Sequence, residues 1–215
     1  MEKIDIAVVD YGMGNLKSVS KAIEHIAPNK VVLVTSTPEH IHAEERVVFP
    51  GQGAMPECIQ ELDARGLHSA VIFAAKTKPF LGICIGLQML FDHSEEGDVN
   101  GLGLLRGNVK KFVMNDRHDV SSEKLKVPHM GWNQVYHHNQ AHTMWQNIGD
   151  GERFYFVHSY YVMPEDESTV VGFSEYPARF TCAVANDNIF AVQFHPEKSA
   201  QAGLQLLRNF VNWKP

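Results

Sequence analysis

The sequence predicts an α/β fold, with a mostly parallel open sheet, helices on both faces and an additional antiparallel sheet in the second half. In the first half, short apolar runs alternate with segments of helical period. In the second half, strand-like runs follow one another with turns between them. No long linker, repeat or low-complexity tract interrupts the 215 residues, so one domain over residues 1–215 is the simplest organisation.

Ile4 to Val9 reads as a buried strand, and Tyr11-Gly12-Met13-Gly14-Asn15 as the glycine turn after it. Leu16, Val19, Ala22, Ile23 and Ile26 fall on one helical face, and Pro28-Asn29 ends that helix. Val31 to Val34 and Arg46 to Phe49 are further strands, the latter stopped by Pro50-Gly51. Helical patterns cover roughly Pro56 to Ala75. Pro79 to Ile83 is a fourth strand, with a helix soon after Cys84. Strand-like runs then span Val127 to Tyr136, Arg153 to Val162, Thr169 to Ser174, Phe180 to Ala185 and Ile189 to Phe194. Asn186-Asp187-Asn188 suits a hairpin turn, and a last helix turns Leu204, Leu207, Phe210 and Val211 inward. Asp92 to Asn100 and Asn115 to Lys124 are the most loop-like stretches.

The formal net charge of −6 argues against a nucleic-acid binder, which usually carries a basic surplus. No apolar run approaches a membrane span, and the first residues lack the pattern of a signal peptide. Cys58, Cys84 and Cys182 are scattered and odd in number, which fits a reducing cytoplasm better than a disulfide framework or zinc site.

Ligands in parallel sheets bind at the carboxyl ends of strands. Tyr11, Pro50-Gly51 and Cys84 all fall at such ends. Leu81-Gly82-Ile83-Cys84-Ile85-Gly86-Leu87-Gln88 is a G-x-C-x-G between strand and helix, the layout of a nucleophile elbow. The glycines let neighbouring backbone approach, and a helix N-terminus behind the sulfur favours the thiolate. The Ile85 amide is placed to donate to an oxyanion. Cys58 and Cys182 lack this setting and read as structural.

A catalytic cysteine needs a base, and the base an orienting group. The 12 histidines make any single one uninformative. His40, His42, His137, His138 and His142 read as solvated or packing residues, with no metal-ligand set, and His158 as core or pocket lining. His195 ends an apolar strand, and Glu197 follows across rigid Pro196. That spacing directs a carboxylate onto one imidazole nitrogen while the other faces the thiol.

Cys84 in G-x-C-x-G-x-Q, with His195-Pro196-Glu197 far downstream, resembles the class I (triad) glutamine amidotransferases, which carry a flavodoxin-like sheet. Tyr11-Gly12-Met13-Gly14-Asn15, Pro128-His129-Met130-Gly131-Trp132-Asn133, Phe156-Val157-His158-Ser159-Tyr160 and His195-Pro196-Glu197-Lys198-Ser199 look like the glutaminase subunits of imidazole glycerol phosphate synthase. The resemblance covers essentially the whole chain. It implies attack by Cys84 on the side-chain amide of L-glutamine, release of ammonia, and hydrolysis of a thioester, with no cofactor. It implies glutamine contacts from Gln88, Glu96, Ser159 and Tyr160, with Glu96 suited to the substrate ammonium. It matches Pro50-Gly51-Gln52-Gly53 to the oxyanion strand, with a main-chain amide near Gln52 as second donor. Position 52 departs from the small aliphatic residue often found there. The implied partner is a (β/α)8-barrel cyclase, forming a heterodimer that yields imidazole glycerol phosphate and an aminoimidazole carboxamide ribonucleotide on the route to histidine. Asn15, Trp132 and Lys198 are the docking residues this suggests.

Three alternatives remain at this stage. A glutaminase serving another biosynthesis would carry a similar triad, though the Pro128 to Asn133 segment argues against it. A γ-glutamyl hydrolase or cysteine peptidase would need no cyclase. A binding module with a decayed site would not need Cys84, His195 and Glu197 together.

Overall fold

The computed structural model describes residues 4–113, 126–138 and 142–215. The loop-like stretch at 115–124 lies outside them.

The first half alternates strand and helix: β1 (Ile6–Val9), α1 (Leu16–Ile26), β2 (Val32–Thr35), α2 (Pro38–Ala43), β3 (Arg46–Gly51), α3 (Met55–Ala64), α4 (His68–Thr77), β4 (Phe80–Cys84) and the single turn α5 (Ile85–Gln88). Gly66, at φ 67°, breaks the helical stretch after Pro56 into α3 and α4. The second half is nearly all strand: β5 (Phe91–Ser94), β6 (Val99–Asn100), β7 (Leu105–Lys111), β8 (His129–His137), β9 (Glu152–His158), β10 (Tyr160–Pro164), β11 (Val170–Glu175), β12 (Arg179–Asn186) and β13 (Ile189–Val192). The final helix is α6 (Ala200–Asn212).

Strands β2-β1-β3-β4-β13 form a parallel block. Ile6 to Val9 are all buried, as a strand covered on both faces must be. Helices α1 and α6 pack together, as do α2 and α4. The antiparallel part is continuous with the block: β12 pairs with β13 across the hairpin at Asp187 and also with β10 and β11. From β11 the pairing runs to β8 and β9.

Three local expectations change. Asp92 to Asn100 is not a loop, because β5 and β6 pair across it. Its polar residues hid the pattern: Asp92 and His93 are only half-buried between buried Phe91 and Ser94. The Arg153 to Val162 run divides at Ser159 into two strands with different partners, β8 and β7. In α6, Leu206 is buried with Leu207 and Phe210, whereas Leu204 is only half-buried.

The register places three carboxyl ends side by side. Gly51 at the end of β3 lies opposite Cys84 at the end of β4, and Val192 of β13 lies opposite Ile83. Gln52, Cys84 and His195 therefore emerge from adjacent parallel strands.

Candidate active site

Cys84 sits at φ 57°, ψ −111°, a conformation that L-residues rarely take. Such strain costs about 1–3 kcal/mol and persists only where the surroundings enforce it. Here they do. A Cβ on Gly86 would lie 1.9 Å from the Phe49 carbonyl oxygen, and one on Gly51 would lie 2.5 Å from the Tyr11 hydroxyl. Only glycine lets β3, β4 and α5 close to this distance. The helix behind the sulfur is one turn, so the dipole expected from sequence is small. The charge partner is instead an imidazole.

His195 leaves β13 in an extended conformation and enters a 3-10 turn, Pro196–Lys198, with proline at its start. Its backbone is fastened at both ends. His195 N donates to Tyr155 O at 2.9 Å. Ser199 Oγ donates to His195 O at 2.6 Å and accepts from Tyr155 N at 2.9 Å, tying the turn to β9. The short turn brings Glu197 back, so that His195 Nδ1 lies 2.9 Å from Glu197 Oε1. These side chains are 4% and 1% exposed. His195 Nε2 is buried and has no hydrogen-bond partner among the described residues. Burial alone would lower the His195 pKa, but the neighbouring Cys84 and the hydrogen-bonded Glu197 carboxylate reverse this and raise it to about 10.

Cys84 and His195 line a cavity of about 270 Å³. Gln52, Ile85, Gln88, Glu96, Ser159 and Tyr160 line it too, so all the residues expected around the substrate share one space. Glu96 Oε2 accepts from the Met55 amide at 2.8 Å. Burial raises the Glu96 pKa, the Met55 hydrogen bond opposes this, and Glu57 adds to the rise. A bound ammonium group would reverse that penalty. Gln88 Nε2 donates to Tyr160 O at 3.2 Å and to Gln193 Oε1 at 2.9 Å.

Gln193 was not anticipated. It is fully buried and its Nε2 lies 3.7 Å from Cys84 Sγ, while the Val157 carbonyl oxygen is 4.0 Å from the sulfur. The available signal was a lone amide in an otherwise apolar strand, one alternation before His195. Ser199 was likewise missed as the staple of the histidine turn. Burial pushes the Cys58 thiol up to about 11 and Cys182 well above its ordinary value, so neither competes as a nucleophile.

Asn15, Trp132 and Lys198 lie outside the cavity. Trp132 is 49% exposed and meets the Tyr155 ring edge-on at 6.2 Å. Lys198 Nζ lies 5.9 Å from the same ring. Met130, 62% exposed, extends the patch along β8. Asn15 begins α1, which packs beside the turn carrying Lys198. Among the described residues no helix is long and apolar enough to cross a membrane.

A strained cysteine at a strand end, a buried histidine–carboxylate pair and a small cavity of mixed polar and apolar lining are the arrangement that a thiol-dependent amide hydrolase requires. The chain belongs to the class-I glutamine amidotransferase family, whose pattern matches residues 7–213. It is 64% identical over 210 residues to imidazole glycerol phosphate synthase subunit HisH of Dechloromonas aromatica, covering 98% of this chain and 97% of that one. It is 63% identical to the subunit of the same name from Thiobacillus denitrificans, covering 99% and 92%. The fold is also that of the Trypanosoma brucei CTPS glutaminase domain solved with bound acivicin (TM-score 0.64, 16% identity, 99% and 96% covered). A glutamine amidotransferase from Thermotoga maritima is similar as well (TM-score 0.59, 18% identity, 92% and 77% covered).

Proposed function

We propose that this chain is the glutamine-hydrolysing subunit of an imidazole glycerol phosphate synthase, acting in the cytoplasm as one glutamine amidotransferase domain. The observation that carries this is the buried His195, with Nδ1 on Glu197 and a free Nε2 on the cavity wall beside Cys84. Similarity along nearly the whole chain to subunits named HisH supports the assignment.

Glutamine enters with its ammonium toward Glu96 and its side-chain amide toward Cys84. The sulfur, whose proton already rests on His195 Nε2 because the ring is charged at neutral pH, attacks the amide carbon. The oxyanion is held by the main-chain amides of Ile85 and Gln52, on the adjoining ends of β4 and β3. The imidazolium, stabilised by Glu197, gives its proton to the leaving nitrogen, and ammonia departs. Water activated by the same histidine then hydrolyses the glutamyl thioester to glutamate. Gln88, Ser159 and Tyr160 shape the wall that receives the substrate.

Ammonia is mostly protonated in neutral water, so a biosynthetic glutaminase must hand it to a docked partner. The exposed Met130 and Trp132 face, with Lys198 and Asn15, is the docking surface for a (β/α)8-barrel cyclase. The partner also governs the oxyanion strand. Gly51-Gln52-Gly53 lets the peptide before Gln52 take two orientations at modest cost, with Gly53 already at φ 114°. Missing one oxyanion donor slows such reactions about 100- to 1,000-fold. Glutamine turnover by the chain alone, with partner, and with partner plus cyclase ligand tests this. The expected rates rise across the series, and equal rates in all three would leave Gln52 a static donor.

A further inference from the structure

Two buried histidines outside the triad join the glutamine cavity to the strand that carries the exposed Trp132. His129 of β8 lies opposite His158 of β9 in register. His158 Nδ1 is 2.7 Å from Tyr160 O, and His129 Nδ1 is 2.9 Å from His158 Nε2. Asn133 Nδ2 is 3.2 Å from His129 Nε2 and 2.9 Å from Glu175 O. The protons in this chain follow by elimination. A carbonyl carries none, so His158 Nδ1 must donate to Tyr160 O. A neutral His158 then presents Nε2 as acceptor, and His129 Nδ1 must donate to it. His129 Nε2 is left as acceptor for Asn133. The amide orientation of Asn133 agrees, because its Oδ1 accepts from Gln134 N at 2.8 Å.

An aromatic cage holds both rings neutral. Tyr176 stacks on His129 at 4.0 Å and Phe156 at 4.9 Å, while Phe112 and Phe180 pack on His158 at 5.2 Å and 5.4 Å. Burial lowers His129 to about 4 and His158 to about 3.

The relay ends on Tyr160 O, the same oxygen that receives Gln88 Nε2 from across the cavity. His158 itself lines that cavity. On β8, His129 is buried and half-buried Asn133 shares its face, while Met130 and Trp132 on the other face are exposed.

We infer that His129 and His158 form a positioning relay, in which two neutral Nδ1–H imidazoles hold the Tyr160 carbonyl and so fix the substrate-receiving wall to strand β8. The relay makes no bond to the reacting atoms. It acts on glutamine binding, and it gives a partner seated on Trp132 a mechanical route to the cavity. This rests on the glutaminase reading above.

The test uses the assembled two-subunit enzyme with its cyclase ligand present, assayed for glutamine hydrolysis. His129→Leu removes the donor to His158 and should raise KM for glutamine about tenfold, the scale of one lost hydrogen bond, with kcat within about threefold. Asparagine places its amide nitrogen near the position of Nδ1, so His129→Asn should restore KM to within about threefold of wild type. Ring-nitrogen NMR of the wild-type chain at neutral pH should show both histidines neutral and protonated on Nδ1. Unchanged KM in folded His129→Leu, Asn behaving as Leu, or an Nε2–H tautomer on either ring would overturn the relay. A wild-type enzyme that hydrolyses no glutamine would instead overturn the functional reading, leaving the tautomers to be judged by NMR alone.

Discussion

His195 has two nitrogens with separate duties, and the geometry divides the expected effects of substitution accordingly. Nε2 is unpartnered among the described residues, on the ring that shares a cavity with Cys84, whereas Glu197 meets the ring at Nδ1, which is where it would act on the proposed reaction. His195→Ala should reduce glutamine-dependent kcat by at least about 1,000-fold, close to the effect of removing the sulfur. Glu197→Gln keeps a hydrogen-bonding group at the turn but loses the charge that stabilises the imidazolium, so measurable activity should survive. Steady-state glutaminase assays check both, and wild-type turnover in His195→Ala would remove its assigned role. The proposed triad stands out in sequence because its parts are local: glycines around Cys84, and a two-residue step across Pro196. Gln193 and Ser199 were not legible. Their importance comes from what β9 and α5 bring against them: the lone amide of Gln193 marks a break in an apolar run without naming its partner, and Ser199 carries no signature of its own.

Whole elements show the same division. The alternating half was readable because parallel strands buried on both faces are continuous apolar runs, as in Ile6 to Val9. Strands β5 and β6 were obscured because short polar strands at a sheet margin lack that pattern. The split at Ser159 was hidden because β9 and β10 are both apolar and differ only in partner. The pairing of β8 with β9 has a measurable acid sensitivity. His129 and His158 are depressed in the folded state, so the unfolded chain binds their protons more readily. Their stabilising contribution is full above about pH 6.5 and falls as pH drops toward 4 and 3. Lowered His137 and His142 act in the same direction, while raised His195 loses its contribution only as pH climbs toward 10. Denaturant unfolding should show lower stability at pH 5 than at pH 7.5, with His129 alone accounting for roughly 2 kcal/mol. The His129→Asn chain should show a shallower fall, and an identical pH slope in both chains would contradict the neutral assignment.

Across the whole molecule, the cavity lies at three strand ends and the proposed docking face lies on β8 and the Lys198 turn. Trp132, packed on Tyr155 yet half exposed, is the proposed aromatic anchor of that face. Trp132→Ala should weaken binding to the barrel partner by about 2 kcal/mol or more, near 30-fold, while leaving basal hydrolysis by the isolated chain unchanged. Titration calorimetry reads the first and an ammonia-release assay the second, and unaltered affinity would move the interface elsewhere. In the proposed enzyme, one sulfur generates the ammonia that the assembled complex consumes. The most direct measurement compares Cys84→Ala with wild type in complex with the cyclase, supplied either with glutamine or with ammonium salt at high pH. The variant should make product from ammonium salt at near wild-type rate and none from glutamine. Glutamine-dependent product from Cys84→Ala would contradict it.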